Sequence, residues 1–271
     1  MSDDGLIDRA AQAVRQLPGL RQWRQAAFDR HFANNTRDNL FRGVFATAEA
    51  ALASAPPSRP QGYDNEASSA LYLKRLAIDD HDYPAMFWLQ RSLDEGLLRI
   101  ADLGGSVGIK YFAFEKVFAF PPGLQWRVID VPAVAARGRE FAASLGAGPA
   151  LQFADSLAEL DGMQVLYASG VLQYLPVTLA ELLGGLRERP RRLIVNTTPI
   201  HAERTFFTLN SIGTAYCAYR VQARQAFVNE VERCGYRLRG EWRNLGKQMS
   251  LPFDRASSLR SYAGFCFDAL G

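Results

Sequence analysis

An aspartate and three glycines, Asp102, Gly104, Gly105 and Gly108, followed by a second acid at Asp130, carry the clearest chemical signal in this sequence. Glycine lets a backbone take positive φ and lets a ligand come closer than any Cβ would permit. The amides of such a turn, at the start of a helix, attract a flat or negatively charged group. Asp130 closes the next apolar run, Leu124-Gln125-Trp126-Arg127-Val128-Ile129. That is the spacing at which α/β nucleotide folds set an acid against a ribose. A glycine turn between two strand-end acids therefore predicts a site for a ligand with a sugar and a charged end.

The elements that must position these residues follow from hydrophobic spacing. Up to about residue 96 the periodicity is helical. Leu6 to Leu17 forms one helix before Pro18-Gly19, Leu20 to Phe32 a second and Leu40 to Ala53 a third. The prolines of Ala55-Pro56-Pro57-Ser58-Arg59-Pro60 predict a stiff linker, followed by helices near Ala67 to Ile78 and Tyr83 to Glu95, the latter with Asp82 as N-cap and Gly96 as stop. Residues 1–96 are thus expected to form an all-helical cap or lid, and residues 97–271 a catalytic domain.

From Leu97 short apolar strands alternate with helices, the signature of a parallel sheet. Strands are predicted at Leu98 to Leu103, Leu124 to Ile129, Ala150 to Phe153, Met163 to Ala168 and Arg192 to Asn196. Helices are predicted over Val107 to Val117, Pro132 to Leu145, Val177 to Leu186 and Val221 to Cys234, and Tyr236 to Trp242 and Ser261 to Phe267 close the chain as a strand pair. The stretch 199–220, with Phe206, Phe207, Tyr216 and Tyr219, reads as a long loop or lid over the acceptor.

Composition narrows the function classes. The 271 residues are 48% hydrophobic and 22% charged, and 31 basic against 28 acidic residues leave a net charge of +3. Without a basic block or stripe, charge gives a nucleic-acid or membrane partner no support. Apolar stretches fall short of a membrane span and the N-terminus is acidic, so a soluble, cytoplasmic protein is expected. Cys217, Cys234 and Cys266 show no Cys-x-x-Cys spacing and read as reduced core thiols. A homodimer is left open.

The run Asp102-Leu103-Gly104-Gly105-Ser106-Val107-Gly108 resembles the cofactor loop of the class I, Rossmann-like S-adenosylmethionine (SAM) methyltransferases, with Ser106 where that family commonly has its middle glycine. Asp130 and the closing strand pair fit the same family. Phe41-Arg42-Gly43-Val44-Phe45, Ala168-Ser169-Gly170-Val171-Leu172-Gln173-Tyr174-Leu175-Pro176 and Asn196-Thr197-Thr198-Pro199 resemble a group of bacterial methyltransferases associated with surface-polysaccharide and small-molecule biosynthesis. The resemblance implies an α/β fold whose seven-stranded, mostly parallel sheet includes an antiparallel terminal strand, behind an all-helical cap. It also implies SAM as cofactor, S-adenosylhomocysteine (SAH) as product and no metal.

On that reading the amides of Gly104, Gly105 and Gly108 hold the methionine carboxylate and Asp102 the amino end. Asp130 takes the ribose hydroxyls, Asp155 or its neighbour Ser156 the adenine amino group, Val131 and Leu157 give apolar walls, and Ser169 lines the site. Asp155 serves equally well as a helix cap. The activity implied is methyl transfer to an oxygen or nitrogen of a small polar molecule, a sugar or biosynthetic intermediate. Related enzymes with an Asp-x-Pro step, here Asp130-Val131-Pro132, carry a histidine where this chain has Gln173-Tyr174. Of His31, His81 and His201, His201 just beyond the fifth strand is the best-placed base, or it merely holds its loop. His81, in Asp79-Asp80-His81-Asp82, reads as a surface residue unless the cap carries it over the site. Tyr174 either supports catalysis or packs; Gln173, Tyr174, Tyr216 and Tyr219 line an acceptor pocket, or the last two anchor a loop. Two alternatives stand beside this reading. A nicotinamide-dependent oxidoreductase is disfavoured because the first glycine of Gly-x-Gly-x-x-Gly would fall on Leu103. A non-catalytic binding protein is kept open by the missing histidine.

Overall fold

The computed structural model describes residues 18–62 and 76–270. The helix expected over Leu6 to Leu17 and most of the one near Ala67 to Ile78 lie outside them. Helix α1 is described over Pro18–Asn34 and covers the helix expected over Leu20 to Phe32. A strand, β1 (Leu40–Phe45), and a short helix, α2 (Ala48–Ala53), replace the single helix expected over 40–53. Two local features enforce the break. Gly43 takes φ +74, and Thr47 caps α2 by accepting a hydrogen bond from the Ala50 N–H. The cap is therefore not all helical.

A one-turn 3-10 helix (Asp80–Asp82) leads into α3 (Tyr83–Asp94). Asp82 does not cap α3 with its side chain, contrary to expectation. Then follow β2 (Arg99–Leu103), α4 (Ile109–Phe114), β3 (Gln125–Ile129), α5 (Pro132–Ser144), β4 (Leu151–Ala154), β5 (Val165–Ser169), α6 (Leu179–Gly184) and β6 (Arg192–Thr198). After β6 come β7 (Ile200–His201), β8 (Phe206–Ser211), β9 (Tyr216–Ala223), α7 (Arg224–Arg233), β10 (Tyr236–Asn244) and β11 (Tyr262–Ala269).

The main sheet has seven strands in the order β10-β11-β6-β5-β2-β3-β4. β2 to β6 run parallel, and β11 lies antiparallel between β6 and β10. This is the doubly wound, Rossmann-like sheet expected. Strand alternation sorts its residues onto two buried faces. Ala101, Leu103, Leu166, Ala168, Leu193, Val195, Phe265 and Phe267 face α6 and α7. Ile100, Trp126, Val128, Val165, Tyr167, Ile194 and Cys266 face α3 and α4. Burial raises the thiols of Cys217 to about 11 and Cys266 to about 12, so both are inert core groups.

The stretch 199–220 is not a loop. It folds as β7, β8 and β9, which join β1 in a second sheet of order β1-β8-β9-β7. Alternating aromatic and β-branched residues favour strands here, and β1, far back in the chain, supplies the edge partner through pairs such as Phe41 with Asn210. The proline segment is fastened to the same sheet, since the Tyr216 N–H bonds the Pro60 carbonyl at 2.9 Å. Tyr216 is fully buried, stacks on Phe32 at 5.5 Å and shares a 2.9 Å hydrogen bond with the Ser58 hydroxyl. Tyr219 is buried too, with its hydroxyl 2.7 Å from that of Tyr262. Neither ring lines an open pocket; both anchor the small sheet. Removing one such ring leaves a cavity, so Tyr216→Ala is expected to lower stability by about 3 kcal/mol in a denaturant titration, whereas a lid residue would leave the unfolding midpoint unmoved.

Candidate active site

In an open α/β sheet the crevice lies beyond the carboxyl ends of the strands, where the strand order reverses. Here that point is between the paired strands β2, which carries Asp102 next to its end, and β5, which ends at Ser169. The turn after β2 is built as the sequence implies. Gly104, Ser106 and Gly108 have φ of +69, +56 and +85. A Cβ on Gly104 would overlap Val171, and one on Gly105 would overlap the Asp102 carboxylate, so side chains are sterically excluded there.

Asp130 is drawn into this turn. Its Oδ2 accepts the Ser106 N–H at 2.9 Å and its Oδ1 the Val131 N–H at 2.8 Å. The Gly104 N–H meanwhile bonds the Ile129 carbonyl at 2.8 Å, tying the loop to the end of β3. Ser106 is held in its left-handed conformation by the bond to Asp130. Each carboxylate oxygen can accept more than one donor, so Asp130 keeps capacity toward a ligand.

Asp102 lies beneath the turn, 1% exposed, with its Oδ2 accepting the Trp126 Nε1–H at 3.0 Å. Burial, helped by the nearby Asp130 charge, raises its pKa to about 7, while Trp126 and Lys110 oppose the shift. Strand alternation puts Asp102, Tyr167, Ser169 and Asn196 on one face of the sheet, the face toward α3 and α4. Burial together with the charges of Asp82 and Asp102 holds the Tyr167 phenol well above its ordinary range, so it stays neutral.

The start of α3 enters this polar group. Asp82 is fully buried; its Oδ2 accepts the Lys110 ammonium at 2.6 Å and the Asp79 N–H at 2.8 Å. The Asn196 amide donates to the His81 carbonyl at 3.1 Å and accepts from Trp242 and Asn244 at 3.0 Å each. The His81 backbone is therefore held against β6 at Asn196, whose amide lies 3.4 Å from the Ser169 hydroxyl. The signal for this was visible in Asp79-Asp80-His81-Asp82, but the pairing of Asp82 with Lys110 on α4 was not. Thr197, also missed, is a β-branched residue at φ +53, its hydroxyl 3.4 Å from that of Ser169. Strain of this kind is held where the surrounding structure over-determines it.

The other expected residues divide. Gln173 is buried at the crevice, donating from Nε2 to the Gly170 carbonyl at 2.7 Å, while its Oε1 has no hydrogen-bond partner. Tyr174 donates its hydroxyl proton to Asn210 at 2.9 Å and meets Tyr219 edge-on at 5.1 Å, joining the crevice to the small sheet. Asp155 is exposed at the end of β4, 3.8 Å from Arg139, and Ser156, not Asp155, caps the next turn by accepting the Ala158 N–H. Val131 and Leu157 are half-buried. His201 holds its own loop with both ring nitrogens. Its Nδ1 accepts the N–H groups of Glu203 and Arg204 at 3.0 Å each and its Nε2 donates to the Ala256 carbonyl at 2.9 Å, so no lone pair is left for a substrate proton.

No protein-family profile and no curated protein matches the chain. Among solved structures it is similar to the 1,6-didemethyltoxoflavin-N1-methyltransferase of Burkholderia thailandensis with 1,6-didemethyltoxoflavin and SAH bound, at 16% identity and a TM-score of 0.45 over 71% of this chain and 79% of that one. It is similar to a SAM-dependent methyltransferase of Clostridium acetobutylicum at 9% identity and 0.46, over 71% and 93%. It is also similar to the CcbJ methyltransferase of Streptomyces caelestis at 14% and 0.42, over 67% and 89%. Likeness this distant assigns no chemistry, and function has to be read from the residues themselves.

The raised pKa of Asp102 has a thermodynamic consequence. The folded protein holds a proton there up to about pH 7, whereas an unfolded chain releases it near 3.8. Stability from this site is full below the lower value and is lost as pH rises through the upper one. Asp102→Asn, neutral at every pH, should therefore gain stability relative to wild type as pH rises from about 4 to about 7 and level off above that in guanidinium titrations; a constant difference across that range would mean Asp102 is already ionised.

Proposed function

We propose that this protein is a SAM-dependent methyltransferase acting on an oxygen or nitrogen of a small polar molecule, a sugar or biosynthetic intermediate. The observation that carries the reading is the coupling of the glycine turn to Asp130 through both carboxylate oxygens, at the reversal of strand order. The residues fit such a cofactor. At Gly104 and Gly105 a Cβ would overlap Val171 and the Asp102 carboxylate, so only glycine lets the turn close over that acid, and the buried Oε1 of Gln173 has no hydrogen-bond partner. When bound, SAM supplies an electrophilic methyl group on a sulfonium.

The chain's own residues then do four things. The turn amides at Gly104, Gly105 and Gly108 hold a carboxylate, and Asp102 stabilises an ammonium from beneath them. Asp130 accepts ribose hydroxyls beyond the two amides it already holds. Val131, Leu157, Asp155 and Ser156 meet the base, with Asp155 drawn from Arg139 to do so. Ser169, Gln173 and the edge of Tyr174 form the acceptor side, and most of the acceleration comes from positioning the acceptor atom. Residues 1–96, tied by β1 to the small sheet, close the acceptor side, and residues 97–271 hold the cofactor.

Calorimetric titration with SAM, SAH and NADH tests this directly: SAM and SAH bind and NADH is silent, and the reverse pattern would make the protein a redox enzyme. Asp130→Ala is expected to weaken SAH binding by about 1–3 kcal/mol, the cost of leaving hydroxyls unpaired. An ammonium beside Asp102 lowers the carboxyl's pKa again, so SAH binding near pH 6.5 should release protons, seen as a dependence of the binding heat on the buffer's ionisation enthalpy. Transfer of label from methyl-labelled SAM to a panel of hydroxylated sugars and amines then identifies the acceptor.

A further inference from the structure

Resting on that reading, we infer that His81, presented by the turn before α3, is the group that takes the acceptor's proton, with Asp79 and Asp82 holding its ring. Its place in the fold supports this first. The His81 backbone is clamped to the tip of β6 by Asn196, whose own carbonyl oxygen is fixed by Trp242 and Asn244. The same Asn196 amide lies 3.4 Å from the Ser169 hydroxyl at the end of β5, so the residue stands at the lip of the crevice.

The carboxylates are set on one side of the ring. Nε2 is 3.7 Å from Asp79 Oδ2 and 3.9 Å from Asp82 Oδ1. Those distances are too long for hydrogen bonds but close enough to orient the Nε2–H tautomer. Nδ1 is then the basic lone pair. This is the logic by which a buried acid fixes an imidazole so that its opposite nitrogen can accept a proton.

One further atom has no other explanation in the structure. Asp82 is fully buried and its Oδ2 is fully engaged, yet its Oδ1 accepts no hydrogen bond. An orphaned buried carboxylate oxygen is costly. With Nε2 3.9 Å away, it gains the attraction of a positive charge when the ring becomes an imidazolium, so part of its cost is offset in the state the reaction forms.

The free ring is also in the required state. Burial, more than any charge, lowers the His81 pKa; Lys247 and Lys110 lower it further, and Asp82 and Asp79 oppose them. His81 is therefore a neutral base at neutral pH. In the transfer itself the acceptor oxygen or nitrogen uses its electron pair to bond the methyl carbon, the carbon–sulfur pair stays with the thioether, and the acceptor's proton moves to Nδ1.

The test combines binding, titration and rate on the whole chain. His81→Gln should bind SAH as wild type does, which also shows that it folds. The His81 ring, identified by NMR as the resonance missing in that variant, should titrate below 6.5, and further below in Asp82→Asn. With an acceptor found by label transfer, wild type should lose activity on acidification with the NMR-determined pKa, and His81→Gln should be about 100-fold slower with that limb gone. A His81→Gln enzyme with wild-type turnover and an intact acid limb, or a His81 pKa indifferent to Asp82→Asn, overturns the assignment while leaving the cofactor reading intact. Failure of the wild-type protein to bind SAH overturns the cofactor reading and the proton role with it.

Discussion

A carboxyl group kept out of water at the end of the central strand is the constraint to which the rest of the site answers. Asp102 can be buried because Trp126, on the neighbouring strand and the same face, donates to it, and because Gly105 above it has no side chain. A buried acid with one neutral donor is held near its protonated form, and the arrangement becomes favourable once a cation lies close. The glycine turn, the tryptophan and the acid are thus one device: changing any one alters the energy of the other two. The bonds from Ser106 and Val131 to Asp130 extend it to the next strand, so the cradle is formed before a ligand arrives.

The same face carries a second buried charge, and the two are managed differently. Asp82 is paired with the Lys110 ammonium at 2.6 Å. Lys110 sits on α4, the helix the glycine turn opens, so this ion pair fixes the start of α3 against the helix that frames the cradle. Its energetic worth as a stabiliser is small, because desolvation offsets much of the attraction; its value is in specifying which side chains come together.

The main sheet was legible in the sequence because its signals are local. Leu98 to Leu103 and Arg192 to Asn196 are largely apolar runs of strand length with a polar residue, Asp102 or Asn196, at or next to the sheet's carboxyl edge, and the glycine turn follows the first of them directly. Asp102, Gly104, Gly105, Gly108 and Asp130 fall together for the same reason. The small sheet was not legible. Leu40 to Phe45 shows no helix-breaking proline, and beyond the local break at Gly43 and Thr47 its strand conformation rests on pairing with Phe206–Ser211, most of the chain away. His201 misled because its position beyond the fifth strand is right for chemistry, whereas the amides of Glu203 and Arg204 that consume its lone pair belong to a tight turn. Tyr216 and Tyr219 misled similarly: aromatic residues in a presumed loop suggest a pocket, and in a strand they are core.

The position of β11 between β6 and β10 bears on how the chain is made. During synthesis β6 emerges and pairs with β5, but its other edge, carrying Leu193, Ile194 and Val195, has no partner until β11 follows β10 out of the ribosome. An apolar, uncovered strand edge is a template for pairing with other chains. The nascent protein therefore passes through a period in which its half-built sheet is adhesive, and only the late arrival of Tyr262–Ala269 closes it.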